Sequence, residues 1–227
     1  MGNIYFCKIN YQLSILMIHT IFSSVLLFCA FSIQAQDLKV IKLNAPDKTR
    51  GSAIMKTFND RQSVREYSAE SLRPQDLSDL LWAANGINRP DGKRTAPSCR
   101  NFQEVEVYVI LPEGAYLYDA KEHALNPLTA GDFRGAVASG QDFAKTAPLS
   151  IVLVADMTKF GNMSESSKLM AAIDIGIVCQ NINMACAGLG LVTVPRGTMD
   201  MATLKDALKL TDNHLALMNN PVGYPKK

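Results

Sequence analysis

The sequence is short of most features that would mark an obvious active centre. Of 227 residues, three are histidine, five are cysteine and one is tryptophan. No HExxH, GxSxG or GxxxxGK(S/T) occurs, which removes zinc hydrolases, serine-hydrolase elbows and phosphate loops from consideration. An excess of one charge is also lacking. With 23 basic and 21 acidic residues the net charge is +2, so there is no electrostatic footprint for nucleic acid or an acidic membrane. A composition 48% hydrophobic and 19% charged excludes disordered, collagen-like and coiled-coil classes. There is no CxxC pair, and beyond residue 35 only Cys99, Cys179 and Cys186 remain. An odd set without paired spacing gives neither a disulfide framework nor a zinc site. Cys179 and Cys186 lie in a helical stretch, roughly 10.5 Å apart along its axis, beyond disulfide reach. They read as small buried hydrophobes. His123 and His214 occur in unrelated contexts and read as packing or surface residues.

Acidic residues are absent from residues 1–35, where Lys8 is the one Lys or Arg and residues 13–30 are dominated by Leu, Ile, Phe and Val. Small Ala35 then precedes Gln36-Asp37. This is the pattern of a secretory signal peptide cut near Ala35, with Met17 an alternative start. An uncleaved membrane anchor is the competing reading, because the apolar run approaches spanning length. Cleavage would leave 192 residues carrying 22 basic and 21 acidic side chains, enough for one full core. The expected organisation is therefore a leader over 1–35, an extended lead-in over 36–50, and one folded domain over 51–227.

Pattern then places the elements. Leu77, Leu80, Leu81 and Ala84 form a helical stripe after Pro74, stopped at Gly86. Residues 105–111 alternate and are β-branched, and 115–119 read as their hairpin partner. The unbroken apolar run 149–155 predicts a strand covered on both faces. Residues 168–187 predict a helix apolar almost all round, destined for a core or a subunit interface. Its Asp174, Gln180, Asn181 and Asn183 argue against a bilayer span. A short strand over 191–194, a helix over 202–208 and a last strand over 215–218 complete an α+β reading, a mainly antiparallel sheet with helices packed on it.

Three short blocks can carry chemistry. In Arg61-Gln62-Ser63-Val64-Arg65, extended chain points residues i, i+2 and i+4 the same way. Two guanidinium forks and a hydroxyl then converge, suited to a phosphate and a second electron-rich group; solvated surface charge would look the same. Ala96-Pro97-Ser98-Cys99-Arg100-Asn101-Phe102-Gln103 offers neutral donors and acceptors at the mouth of a strand, or is simply a loop satisfying its own backbone. Residues 188–197 run Gly-Leu-Gly-Leu-Val-Thr-Val-Pro-Arg-Gly, where a glycine lets a planar ring approach the main chain. Gly188-Leu189-Gly190 follows a helix, so it is not a dinucleotide fingerprint.

Taken in order, RxSxR, PSxxNxQ, a buried Asp-(x)5-Gln-Asn helix, GLGLxxxPxG and a closing Gly223-Tyr224-Pro225 resemble the nitroreductase-like FMN-dependent oxidoreductases. The likeness is greatest to their short branch related to azoline-oxidising dehydrogenases, and it runs from about Gly51 to the C-terminus. The resemblance implies the nitroreductase-like fold, an intertwined homodimer and bound FMN. It implies that Arg61 and Ser63 contact the phosphate and ribityl chain, and that Arg65 sits by the pyrimidine edge. Pro97, Ser98 and Asn101 would reach the neighbouring subunit's flavin, and Pro195, Arg196 and Gly197 would form the turn against the ring. Lys226 would add a basic group from the tail. Arg100 departs from the small residue usual there and would narrow the substrate space. The implied reaction passes hydride from NADH or NADPH through flavin N5 to a nitroaromatic, quinone or similar small acceptor, with no protein acid or base. No nicotinamide-binding motif is visible. A dehydrogenase of a modified peptide or heterocycle, and a flavin-binding protein without turnover, remain as alternatives.

Overall fold

Alternation along the strands decides the layering of the chain, whose residues 37–226 are described by a computed structural model. The expected leader over 1–35 lies outside the described residues. Seven strands are formed, β1 (Ile41–Lys42), β2 (Val105–Leu111), β3 (Gly114–Asp119), β4 (Ala124–Ala130), β5 (Leu149–Asp156), β6 (Val192–Thr193) and β7 (His214–Gly223). They join one sheet in the order β1-β4-β3-β2-β5-β7-β6, and each neighbouring pair is antiparallel. The helices are α1 (Ile54–Asp60), α2 (Pro74–Asn85), α3 (Arg134–Ala138), α4 (Asp142–Lys145), α5 (Glu165–Leu189) and α6 (Met201–Ala207).

Both faces of the central strands are covered. Val107 and Val109 of β2, with Ile151 and Leu153 of β5, belong to the core shared with Leu80, Leu81, Ile175 and Ile182 of α2 and α5. Tyr108, Ile110, Val152 and Val154 face the other way, into a smaller core with Val137 and Leu204 of α3 and α6. Burying each such aliphatic side chain is worth about 1.5–3 kcal/mol, which is why β5 reads as continuous hydrophobic sequence. The result is an α+β fold with an antiparallel sheet flanked by helices.

Helix α5 is the central helix of the larger core. Ser164 caps its start by accepting from the Ser167 N–H, and Gly190, at φ 75°, closes it. Ala171, Ile175, Val178, Ile182 and Cys186 form its buried stripe, spaced as one helix face. The opposite face keeps Leu169 at 58% and Ile173 at 48% exposure. Beside the C-terminal end of α5, where the Ser52 N–H donates to Gly188 O, α1 leaves Ile54, Met55 and Phe58 more than half exposed. The all-round apolar character of α5 therefore has two causes, one stripe for the core and another that a single chain leaves uncovered.

Residues 36–50 do more than lead in. Leu38, Ile41 and Leu43 pack on the core, β1 pairs with β4, and Arg50 reaches α2. Arg50 donates to Asp76 and to Asp79, each at 2.6 Å. Asp76, fully buried, also accepts from Arg73 Nε at 2.8 Å and from the Tyr224 hydroxyl at 2.5 Å. The closing Gly-Tyr-Pro is thereby tied to the start of α2. Burial alone would raise the Asp76 carboxyl, but the hydrogen bonds from Tyr224, Arg50 and Arg73 outweigh it and hold the group below its ordinary value. A folded-state value below the unfolded one contributes stability above about pH 4, lost as pH falls through the folded value. Asp76→Asn is accordingly expected to lose about 2 kcal/mol at pH 7. Urea denaturation at pH 7 and pH 3 should show a smaller acid-induced loss in the variant than in the native chain.

Candidate functional site

The first and third blocks meet at the end of the sheet. After α1 the chain runs extended, and Ser63 forms a parallel bridge with Thr193 of β6, the Val64 N–H donating to Thr193 O at 3.0 Å. Thr193 is itself fixed, its hydroxyl donating to Pro221 O at 2.8 Å. Arg61, Ser63 and Arg65 are all exposed on this run. Among the described residues neither Arg61 nor Arg65 takes part in a salt bridge, whereas Arg50, Arg73 and Arg134 each hold a carboxylate. Two uncommitted guanidinium forks beside the 193–197 turn suit an anionic, electron-rich ligand.

The turn carries an exposed Gly197. A Cβ there would meet Leu217 O at 3.5 Å, an ordinary contact. Nothing in the fold of one chain therefore requires glycine at this position, and the space above it is open to a ligand.

Arg196, expected in this turn, differs from Arg61 and Arg65 in the direction of its side chain. Its side chain points into the body and is 7% exposed as a residue. Nη1 donates to Val137 O and Asn219 Oδ1, Nη2 to Ala138 O, and Nε to Gln141 Oε1. Its backbone N–H and C=O are both paired with Asn219. Burial pulls the guanidinium below its ordinary value. It is a clamp joining the turn to the α3–α4 segment.

That segment contributes a residue the sequence reading missed. Phe143 of α4 lies between the two arginines, with its ring centroid 5.9 Å from Arg65 Cζ and 5.7 Å from Arg196 Cζ. Stacking of this kind orients Arg65 along the site wall. The one available signal was an aromatic amid polar neighbours in Gln141-Asp142-Phe143.

The second block lies elsewhere. The Cys99 N–H donates to Asp174 Oδ2 at 2.7 Å, on the N-terminal half of α5. The other site abuts the C-terminal half, where Asn183 Oδ1 accepts from Asn220 Nδ2 and Asn220 also donates to the Thr193 hydroxyl. Asp174 and Asn183 are about 13.5 Å apart along the helix, so one chain does not bring the blocks together. Pro97 and Asn101 are exposed and Ser98 half-buried; the Ser98 hydroxyl accepts from the Gln103 N–H. Lys226 is exposed and follows the Tyr67–Pro225 bridge, which directs the tail back along the strand toward Arg65.

Comparison with known proteins places this geometry. The model of the nitroreductase family matches residues 59–224. A nitroreductase-like protein of Methanocaldococcus jannaschii is 28% identical over 201 residues, covering 84% of this chain and 95% of that protein. The crystal structure of a nitroreductase-like protein of Ralstonia eutropha JMP134 superposes with a TM-score of 0.78 at 35% identity, covering 85% of this chain and 92% of that one. An NADH-oxidase-like protein of Clostridium acetobutylicum gives 0.53 at 27% identity, covering 75% and 88%.

Proposed function

This chain belongs to the nitroreductase family and is an oxidoreductase, and on that premise we propose that it binds FMN and passes hydride from NADH or NADPH to a nitroaromatic, quinone or similar small acceptor. The observation that carries the reading is the pair of unpaired, exposed arginines held in extended chain against β6, beside a glycine the fold itself does not need. When bound, FMN would supply two-electron transfer at its N5. Arg61 and Ser63 would hold the phosphate and ribityl chain, and Arg65, oriented by Phe143, would face the pyrimidine edge. Pro195 and Gly197 would lie against the ring. The protein's part is binding, orientation and charge, and none of its side chains is assigned a proton-transfer step.

The protein would act as a homodimer. The uncovered apolar side chains of α1 and α5 would supply the shared patch that a two-fold interface requires. Pairing through them would let Pro97, Ser98 and Asn101 of one subunit complete the site of the other, which the separation along α5 denies them within one chain. Residues 1–35 carry the proposal of export. A native N-terminus at or near Gln36, measured by mass spectrometry, would support it, and an intact Met1 or Met17 would contradict it.

Anaerobic stopped-flow mixing of the flavin-loaded protein with NADH and NADPH tests the reaction. Bleaching of the bound flavin by either donor, then reoxidation by a quinone or nitroaromatic, is the expected result. Flavin that binds and is reduced by neither would overturn the nicotinamide-dependent reading.

A further inference from the structure

One buried group outside the flavin site is unexplained. Glu104, at the mouth of β2, is fully buried, and no donor of the chain reaches either of its carboxyl oxygens among the described residues. The side chain that acts on it is a second carboxyl, Asp174 of α5, itself 5% exposed. Two carboxyls with no donor between them coexist in a dry site only if one keeps a proton and gives it to the other. That proton gives one of the two orphaned oxygens a partner, and Asp174 Oδ2 accepts from the Cys99 N–H at 2.7 Å.

What this pair holds is a loop under tension. Arg100, Asn101 and Gln103 have φ of 47°, 57° and 52°, three left-handed residues in four, none of them glycine. Such residues persist only where surroundings over-determine them. Within the loop, Asn101 N–H donates to Ser98 O and Phe102 N–H to Cys99 O, and the Phe102 ring meets Phe160 edge-on. The Cys99–Asp174 bond ties the loop to α5, the Ser98 hydroxyl receives the Gln103 N–H, and Gln103 bonds Asn101, Gly92 and Arg94.

We propose that Glu104 is a positioning residue. It shares one proton with Asp174, this proton locks the 97–103 loop onto α5, and its loss frees the loop and loosens the hold on FMN. The last step rests on the cross-subunit role given above to Pro97, Ser98 and Asn101. Burial, then the proximity of Asp174, pushes the Glu104 carboxyl up to about 7, so the lock would be set at slightly acid pH and released above neutrality. The charged groups lining the adjoining cleft are Arg94, Glu106, Asp119, Lys121, Asp156 and Lys159. Of these Arg94 is committed to Asn85 O and Gln103 Oε1, and Asp156 to Thr158. Arg100 of the loop is exposed.

The test is hydrogen–deuterium exchange of the 97–103 amides in the full chain from pH 5.5 to 9, corrected for intrinsic exchange, alongside the Kd for FMN from flavin fluorescence. Up to about pH 7, the value to which Glu104 is raised, loop exchange should accelerate about tenfold per pH unit, the slope for one proton, then level off above neutrality, and the Kd should rise in step. Glu104→Gln, which keeps a donor facing Asp174 and has no proton to lose, should make both profiles flat. Loop exchange independent of pH in the native chain would overturn the proposal. So would an unchanged profile in Glu104→Gln, or an FMN affinity indifferent to pH while the loop opens. Loop exchange that follows the profile in a protein binding FMN at no pH would sustain the lock and defeat the cofactor reading instead.

Discussion

Replacing Arg196 with alanine is expected to lower folding stability by about 3–5 kcal/mol, because it removes a buried fork that bonds four acceptors, the buried Asn219 side chain among them. The guanidinium serves Val137 O, Ala138 O, Asn219 Oδ1 and Gln141 Oε1. Lysine should rescue little of the loss. An ammonium is a compact point donor, whereas the positions to be met are spread around a planar fork. The consequence extends to function, since the clamp fixes the α3–α4 segment that presents Phe143 to Arg65. Chemical denaturation of Arg196→Ala and Arg196→Lys measures the stability term. A loss below about 1 kcal/mol in the alanine variant would show that the segment finds other partners.

The second large effect concerns ligand affinity and not folding. Arg61 and Arg65 are exposed and carry no structural bond through their guanidinium groups among the described residues, apart from the stacking of Arg65 on Phe143. The double variant Arg61→Ala/Arg65→Ala should therefore keep stability within about 0.5–1 kcal/mol of the native chain. Each charge-assisted hydrogen bond lost to a bound anion is worth about 1.5–3 kcal/mol, so FMN affinity should fall by at least about a hundredfold. The single variants should separate two roles. Arg61→Ala is expected to act on affinity alone. Arg65→Ala should in addition lower the two-electron potential of the bound flavin, by roughly 30 mV for each 1.4 kcal/mol of lost stabilisation. Fluorescence titration and a redox titration read the two quantities. Unchanged affinity in the double variant would place the cofactor elsewhere.

Much of the fold was legible because its core elements bury one chemistry per face. Helix α2 follows its Leu77-Leu80-Leu81-Ala84 stripe, and β5 its apolar run. The elements that escaped are those stabilised by something other than hydrophobic pattern. Strand β7 extends to Gly223, well past the expected end at 218, through Asn219, Asn220 and Pro221. The two asparagines are fully buried, which polar side chains tolerate only when bonded. Here Asn219 meets Arg196, and Asn220 meets Cys179, Asn183 and Thr193. Strand β4 contains Pro127 and pairs with β3 across a register shift at Ala115/Tyr116, so its pattern is broken at the point where alternation would be read. Helices α3 and α4 have five and four residues, too few to show a period.

The candidate site divides in the same way. Arg61, Ser63 and Arg65 could be read as converging because an extended run fixes their direction, and the parallel bridge to Thr193 holds that run extended. Arg196 was placed only by resemblance, in the turn against the ring, since sequence does not tell an inward-facing guanidinium from an outward one. Glu104 was hidden for the opposite reason. In Glu104-Val105-Glu106-Val107 it reads as the exposed member of an alternating strand, yet it is buried against Asp174, 70 positions away. Long-range pairing decides both cases, and local pattern carries no trace of it.

In the proposed reading one flavin lies between the 61–65 run, the 193–197 turn and a second copy of the chain. The most direct measurement is analytical ultracentrifugation of the purified protein with simultaneous detection at flavin and protein wavelengths. The expected result is a yellow dimer with one FMN per subunit, whose colour and mass sediment together. A colourless monomer that stays colourless after incubation with excess FMN would contradict it.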